Sequence, residues 1–216
     1  MPVCYGTPCL YIMYPPFTLK QTNAMPTIEY HPLPPFTPGN ARLLLLGSFP
    51  PPRPRWSIDF YYPNFQNDMW RIFGTAFFDD KDYFVDTAQR RFQEEKLLMF
   101  LSEKGIALCD TAHAVVRLKE NASDKFLEIV EPVNLQALLD RIPLCHTIAS
   151  TGEKSAETLC SIVGCETPAV GKFTKTEYAG RELSIYRMPS SSRAYPKPLA
   201  DKAAIYSRLF SDAGLL

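Results

Sequence analysis

The segment that most constrains the fold of this chain is a run of four leucines, Leu43 to Leu46, followed at once by Gly47-Ser48-Phe49-Pro50-Pro51. Four consecutive apolar residues are typical of a strand that is buried on both faces, as in a parallel sheet covered by helices. The glycine and the prolines end the strand and begin a loop at its carboxyl end. In open α/β sheets, ligands bind at this end of the strands. The run therefore predicts an α/β domain with a binding site beside Gly47.

The rest of the chain alternates between strand and helix patterns. We predict strands at 42–46, 106–110, 147–150, 173–178 and 183–188, and helices at 69–78, 87–104, 134–141, 151–160 and 199–210. This alternation predicts a three-layer α/β/α sandwich around a central, mostly parallel sheet of four to five strands. We expect one domain over residues 40–216. A proline-rich, extended lead-in over 25–39 precedes it, and residues 1–24 are expected to be a poorly ordered extension, with Met25 a candidate for the biological start.

The composition limits the classes of function. The formal net charge is zero, which excludes a protein that coats nucleic acid by charge alone, because each neutralised phosphate needs a lysine or an arginine. A small local basic patch remains compatible with this charge. No stretch approaches the ~20 apolar residues of a membrane span, and the six cysteines have neither C-x-x-C spacing nor a histidine at ligand spacing. We expect a cytoplasmic monomer with reduced cysteines and no metal, cofactor or membrane partner.

Five short segments resemble the motifs of one enzyme superfamily. The segments are 47–51 (GSFPP), 62–70 (YPNFQNDMW), 105–110 (GIALCD), 150–156 (STGEKSA) and 188–192 (MPSSS). In this order they resemble the uracil-DNA glycosylase superfamily, most of all its mismatch-specific uracil and hypoxanthine (deoxyinosine) branches. The resemblance covers about residues 40 to 210. It implies the fold of that superfamily and a monofunctional DNA glycosylase of base excision repair, which removes uracil or hypoxanthine from damaged or mismatched DNA without a cofactor.

The resemblance also implies a pocket for an extruded base. A base inside a duplex is out of reach of an enzyme, so the nucleotide must be flipped into the protein. Tyr62 matches the aromatic residue on which the base stacks, and Asn64 is a candidate for reading the base edge. Core packing for Tyr62 and a turn after Pro63 for Asn64 are the structural alternatives. Four further residues complete the predicted base-binding set: Gly47, Ser48, Phe49 and Asp110.

The catalytic residues are less directly implied. The uracil branch places an aspartate or asparagine at the position of Phe49 to orient the attacking water, so that role does not transfer to this chain. Asn67 matches an asparagine of the following motif that could orient the water instead, and its alternative role is a helix N-cap. Asn64 and Ser190 complete the candidate catalytic set, with Ser190 at an asparagine-like position of the last motif.

Candidate DNA contacts lie in two loops: Arg53 and Arg55 in the first, and Ser191, Ser192 and Arg193 in the last. Trp56, Lys197 and Lys202 are weaker candidates, and each has a solvated surface position as its alternative. Asp110 and His113 could also form an acid–base pair. Two other functions stay open at this point: a non-catalytic module that binds a modified nucleotide or another planar ligand, and a hydrolase of free nucleosides or nucleotides.

Overall fold

The structure, a computed structural model, describes residues 1, 27–118 and 124–216. The predicted extension at residues 1–24 and the candidate start Met25 lie outside the described residues, except for Met1. The strands are β1 (Ile28–Tyr30), β2 (Leu43–Gly47), β3 (Val85–Asp86), β4 (Arg91–Phe92), β5 (Ile106–Asp110), β6 (Ala112–Arg117), β7 (Leu127–Pro132), β8 (Thr147–Ser150), β9 (Lys172–Tyr178) and β10 (Arg181–Arg187). The α-helices are α1 (Met69–Phe78), α2 (Glu94–Lys104), α3 (Leu135–Arg141), α4 (Glu153–Val163) and α5 (Leu199–Asp212).

A central five-stranded sheet has the strand order β5-β2-β8-β10-β9. The first four strands are parallel to one another, and only the edge strand β9 runs antiparallel, as the second half of a hairpin with β10. The turn of this hairpin is Ala179-Gly180, and both residues have positive φ, as tight hairpin turns require. The mostly parallel sheet predicted from the sequence is therefore confirmed.

The leucine run of β2 separates two apolar cores, because successive side chains of a strand point to opposite faces. Leu43 and Leu45 pack in a core with helices α1, α2 and α5. Leu44 and Leu46 pack in a second core with α3 and α4. All four leucines are fully buried. Helices thus cover both faces of the sheet, and the predicted three-layer α/β/α sandwich is confirmed.

The predicted helix over 87–104 is shorter than expected and begins at Glu94. The preceding residues form the small hairpin of β3 and β4, in which Val85 pairs with Phe92. Gln93 fixes the junction, because its backbone N–H donates to the carbonyl of Phe84 and its side chain donates to the carbonyl of Val85. Gly105 ends the helix in the left-handed conformation, as predicted, and its missing Cβ leaves room for the carbonyl of Asn40.

A second, antiparallel sheet of order β1-β6-β7 was not predicted. Only one residue, Thr111, separates the end of β5 from the start of β6, so the sequence has no turn segment that would mark them as two strands. Strand β1 lies in the predicted lead-in, and its register places Tyr30 opposite Ala114. The lead-in also forms a bridge from Phe36 to Leu108 of β5. The second sheet therefore fixes the lead-in against the end of β5, next to the predicted site. Among the helices that the structure describes, none is both long and apolar enough to cross a membrane.

Candidate active-site cleft

A cleft of about 780 Å³ opens at the carboxyl edge of the central sheet, where β2, β5 and β8 end. Six stretches of chain supply its walls: one from each of the five motif segments, and a sixth, Asp124-Lys125, just before β7. Every residue of the predicted site except Arg53 lines this cleft: Gly47, Ser48, Phe49, Arg55, Tyr62, Asn64, Asn67, Asp110, Ser190, Ser191, Ser192 and Arg193. Over the described part of the chain, no three Cys, His, Asp or Glu side chains come together as metal ligands.

The floor of the cleft forms where β2 and β5 end side by side. Gly47 pairs with Asp110 across the two strands, and a Cβ added to Gly47 would overlap Oδ1 of Asp110. The same added Cβ would lie 3.4 Å from the hydroxyl of Tyr62. Only glycine at this position therefore allows the carboxylate and the phenol to converge over the end of β2.

Asp110 forms its ion pair with His31, and not with His113, the partner that the sequence left possible. Nε2 of His31 lies 2.9 Å from Oδ2 of Asp110, and both side chains are almost fully buried. His113 is exposed on β6, and its ring contacts Tyr30 instead. The predicted pair is wrong because successive residues of β6 alternate faces, which directs His113 to solvent.

The ring of Phe49 has no polar atom that could position a water, and it packs against the second sheet. It packs in a small apolar core with Ala112, Val115 and Leu127 of the second sheet. The edge of the His31 ring meets it at 5.4 Å between ring centroids. The first loop therefore contributes an apolar wall beside the His31–Asp110 pair.

Tyr62 has the left-handed backbone conformation, with φ of 49°, which is uncommon for a residue other than glycine. Its hydroxyl lies 2.9 Å from Oγ1 of Thr151, and its ring meets Trp70 edge-on at 5.8 Å. Burial raises the pKa of Tyr62 well above its ordinary value, so the phenol stays neutral. Contacts on both ends of the side chain hold this ring at the wall of the cleft.

Asn64 and Asn67 both use their side-chain oxygen to fix the local backbone. Oδ1 of Asn64 accepts the N–H of Gln66, and Oδ1 of Asn67 accepts the N–H of Met69 at the start of α1, each at 2.9 Å. The turn raised as the alternative for Asn64 is thus present, whereas the N-cap of α1 is Asp68 and not Asn67, which bonds to the first helical residue from one position earlier. The amide Nδ2 of each residue has no partner among the described residues, so each asparagine offers a hydrogen-bond donor to the cleft.

The serine loop, residues 190–193, is attached to the segment before α1 by a short antiparallel bridge. Asn67 pairs with Ser192, and the N–H of Asp68 donates to the carbonyl of Ser191 at 2.9 Å. The carboxylate of Asp68 then accepts Nε of Arg193 and Nζ of Lys202, each at 3.0 Å.

Lys202 is fully buried, and its Nζ also donates to the carbonyl of Ser192 at 2.8 Å. Its predicted role as a DNA contact is wrong, because α5 directs this side chain inward to hold the serine loop. Arg193 remains exposed at the rim.

The chain is similar to proteins of known structure over most of its length. A protein from Methanosarcina acetivorans, solved by solution NMR and described as a candidate uracil DNA glycosylase, matches with a TM-score of 0.56 and 24% sequence identity. The match covers 87% of this chain and 99% of the other. The two proteins share a fold. The predicted uracil-DNA glycosylase fold is thereby confirmed. No protein-family model matches the chain, and no curated protein matches it.

Residues that shape the cleft but were not in the predicted site include Asp124 and Thr151 in its lining and His31 behind Asp110. Ser48 Oγ donates to Asp124 Oδ2 at 2.6 Å, and burial raises the pKa of Asp124. Thr151 follows β8 directly, so the strand-end rule that selected Gly47 and Asp110 could also have found it. No sequence rule pairs His31 with a residue 79 positions away.

In the cleft, the negative charge lies on the buried floor and the positive charges lie at the exposed rim. Asp110 is buried on the floor, whereas Arg55, Lys125 and Arg193 are exposed at the rim. Arg53 lies outside the lining, where it pairs with Asp59 and stacks over Trp56 at 4.1 Å. A polyanion approaching this edge of the sheet thus meets cations before it meets the carboxylates.

Proposed function

We propose that the protein is a monofunctional DNA glycosylase that extrudes a deaminated base, uracil or hypoxanthine, and hydrolyses its N-glycosidic bond. The observation that carries this proposal is the cleft itself. It gathers the glycosylase-like segments, which are scattered from Gly47 to Arg193, at the carboxyl edge of one parallel sheet. The shared fold supports the same conclusion.

The cleft has the size and the chemistry for one flipped nucleotide. A volume of about 780 Å³ lies in the range of small-ligand sites, and the rings of Tyr62 and Phe49 supply apolar wall. Stacking on one such ring is worth about 1–3 kcal/mol per base. Asn64 Nδ2 and the hydroxyl of Ser190 are free to read carbonyl oxygens, which uracil and hypoxanthine share.

The rim supports a nucleic-acid substrate over a free nucleoside. Arg55, Lys125 and Arg193 surround the opening, and a mononucleoside has no phosphates for them to bind. If these three cations each neutralise one phosphate of a duplex, the logarithm of affinity should fall with the logarithm of salt concentration with a slope of about −2.7.

The test of this function uses duplex and single-stranded oligonucleotides that contain one deoxyuridine or one deoxyinosine. Single-turnover incubation followed by alkali should cleave the strand at the modified base, and omission of alkali should leave it intact, because a monofunctional enzyme produces an abasic site. Absence of product from both bases on both kinds of strand, beside an active control glycosylase, would refute the proposal.

Asn67 provides a sharper test, because its side-chain oxygen bonds to the backbone of α1 whereas its side-chain nitrogen is the donor offered to the cleft. A substitution can remove the second without the first. Asn67→Asp keeps the oxygen that accepts the Met69 N–H and removes the Nδ2 donor, whereas Asn67→Ala removes both. We expect both variants to lower the excision rate about 100-fold, and only the alanine variant to lose about 1 kcal/mol of stability. Asn40→Ala, at the opposite edge of the sheet, is the matched control. Full activity of Asn67→Asp would assign Asn67 to structure alone.

The burial of Phe49 favours one alternative: a module that binds damaged DNA without cutting it. The loop that carries the water-positioning residue in the uracil branch is apolar here and packs in the second sheet. Tight retention of a deoxyuridine or deoxyinosine duplex with no alkali-labile product would support this alternative over catalysis.

A further inference from the structure

The His31–Asp110 pair occupies the space next to the ring of Phe49. The imidazole touches that ring, and its partner Asp110 lines the cleft. Oδ2 of Asp110 faces His31, but Oδ1 has no hydrogen-bond partner among the described residues. No fully buried side-chain N or O atom in that part of the chain lacks a partner, so Oδ1 is open to the cleft.

The surroundings of His31 fit the imidazolium form. Nε2 lies 2.9 Å from the Asp110 carboxylate, which can only accept, whereas Nδ1 lies 2.9 Å from the carbonyl oxygen of Leu33 and 3.2 Å from the backbone nitrogen of the same residue. Nε2 donates to Asp110 in either charge state of the ring, and in the imidazolium form Nδ1 donates to the carbonyl of Leu33. Burial works against the charge, but the Asp110 carboxylate outweighs it, and the pKa of His31 is raised.

Asp124, the second carboxyl group of the cleft, has different partners from Asp110. Asp124 has no cation within ion-pair distance among the described residues, and its one hydrogen bond there comes from Ser48. Burial raises its pKa and favours the neutral acid. Of the two carboxyl groups, Asp110 is therefore the one that has both a histidine partner and an oxygen open to the cleft.

We propose that Asp110, held in place by His31, binds the attacking water through Oδ1 and takes its proton, in place of the polar residue that Phe49 replaces. This inference rests on the proposed glycosidic-bond hydrolysis and names the group that performs its nucleophilic half. His31 acts through Asp110 and is a positioning residue.

The step balances without a further reactant. The C1′–N bond breaks and its electron pair leaves with the base, which takes a proton from solvent. The water oxygen forms the new bond to C1′, and one water proton passes to Asp110. The negative charge that Asp110 holds before this transfer also stabilises the cationic sugar, because opposite charges attract strongly in a poorly solvated site.

Few groups around Asp110 change charge near neutral pH. Tyr61 and Tyr62 from the aromatic segment are buried phenols with raised pKa values, and burial raises the pKa of Cys109 to about 12. His31 from the lead-in and Asp124 from the segment before β7 are the groups that can titrate with it. The pH profile of excision thus reports on these three side chains.

The first test is Asp110→Asn, whose carboxamide has the same shape and can still accept a hydrogen bond from His31. We expect the single-turnover excision rate to fall about 100-fold or more, the usual contribution of a general base. Binding of a duplex carrying a non-cleavable 2′-fluoro analogue should change less than about 3-fold, because no phosphate contact is lost. Asp140→Asn, an exposed carboxylate on α3, is the matched control.

The second test separates catalysis from a structural role. The wild-type rate should fall on the acid side as the carboxylate is protonated, and this acidic limb should vanish in Asp110→Asn. In His31→Asn the limb should persist but begin at a higher pH, since a buried carboxylate without its cation is more easily protonated. In Asp124→Asn the acidic limb of the pH–rate profile should match that of the wild-type protein. A purely structural ion pair would lower stability and leave the shape of every profile unchanged.

The possible failures are distinguishable. If the wild-type protein excises neither base, the proposed function fails. If the wild-type protein is active and folded Asp110→Asn retains its rate within about 3-fold, the function stands and the role of Asp110 is overturned. Restoration of the rate by formate in Asp110→Ala would support the role, and an undiminished acidic limb in Asp110→Asn would oppose it.

Discussion

Gly47 has no Cβ, and the space that a Cβ would fill is occupied by the carboxylate of Asp110. The floor of the cleft therefore depends on glycine at this position. Gly47→Ala would force the carboxylate to move, which should cost about 1–3 kcal/mol of unfolding free energy and separate Asp110 from His31. Urea denaturation measures the loss. Gly39→Ala is the control, because nothing lies within 4 Å of its added Cβ. Equal stability of the two variants would show that Asp110 can shift to accommodate a Cβ at position 47 without loss of stability.

The sequence predicted residues of the cleft well where a strand ends and poorly where two distant segments meet. Gly47 and Asp110 follow from the rule that ligands bind at the carboxyl ends of parallel strands. His31 was not predictable, because its role depends on an unpredicted sheet that brings the lead-in to β5. His113 was selected instead for its closeness along the chain, and the alternation of strand β6 turns it to solvent.

At the scale of elements, the buried lysine of α5 holds the serine loop to the start of α1. Lys202→Met keeps the length of the side chain but leaves the carboxylate of Asp68 with Arg193 alone and removes one of the two donors to the carbonyl of Ser192, the other being the N–H of Tyr195. Breaking a buried pair in this way typically costs about 3–5 kcal/mol. We expect a lower melting temperature and faster hydrogen exchange at residues 190–193. Lys197→Met, in the adjacent loop, should change neither measurement.

The elements themselves were predicted to different degrees for physical reasons. The sequence located all five central strands: β2, β5, β8 and β10 contain buried apolar residues, and the more exposed β9 pairs with β10 across a short turn. The helix predicted over 87–104 included the second strand of a hairpin, because Phe92 lies on the same apolar pattern as Leu97 and Leu101 but packs from a strand. Strands β6 and β7 were missed, since an antiparallel sheet with one exposed face has a weaker apolar signal than a parallel one.

At the scale of the whole molecule, the raised pKa of His31 links global stability to pH. A raised pKa means that the contribution of His31 is fully present below its unfolded value of about 6.5 and is lost as pH rises through its folded value. The free energy of unfolding lost in His31→Asn should therefore be larger at about pH 6 than at about pH 9. Urea titrations of both proteins at the two pH values measure it. A loss that grows with pH would contradict a charged His31.

The pairing of the serine loop with the segment before α1 also bears on the order in which the molecule folds. Asp68 and Arg193 lie 125 positions apart, so their contact closes a loop at a chain-entropy cost of about 4 kcal/mol. Contacts of such separation form late, whereas helices and adjacent strands form early. A refolding chain should regain its circular dichroism before it regains any cleft function. During that interval the molecule has its secondary structure but no assembled cleft.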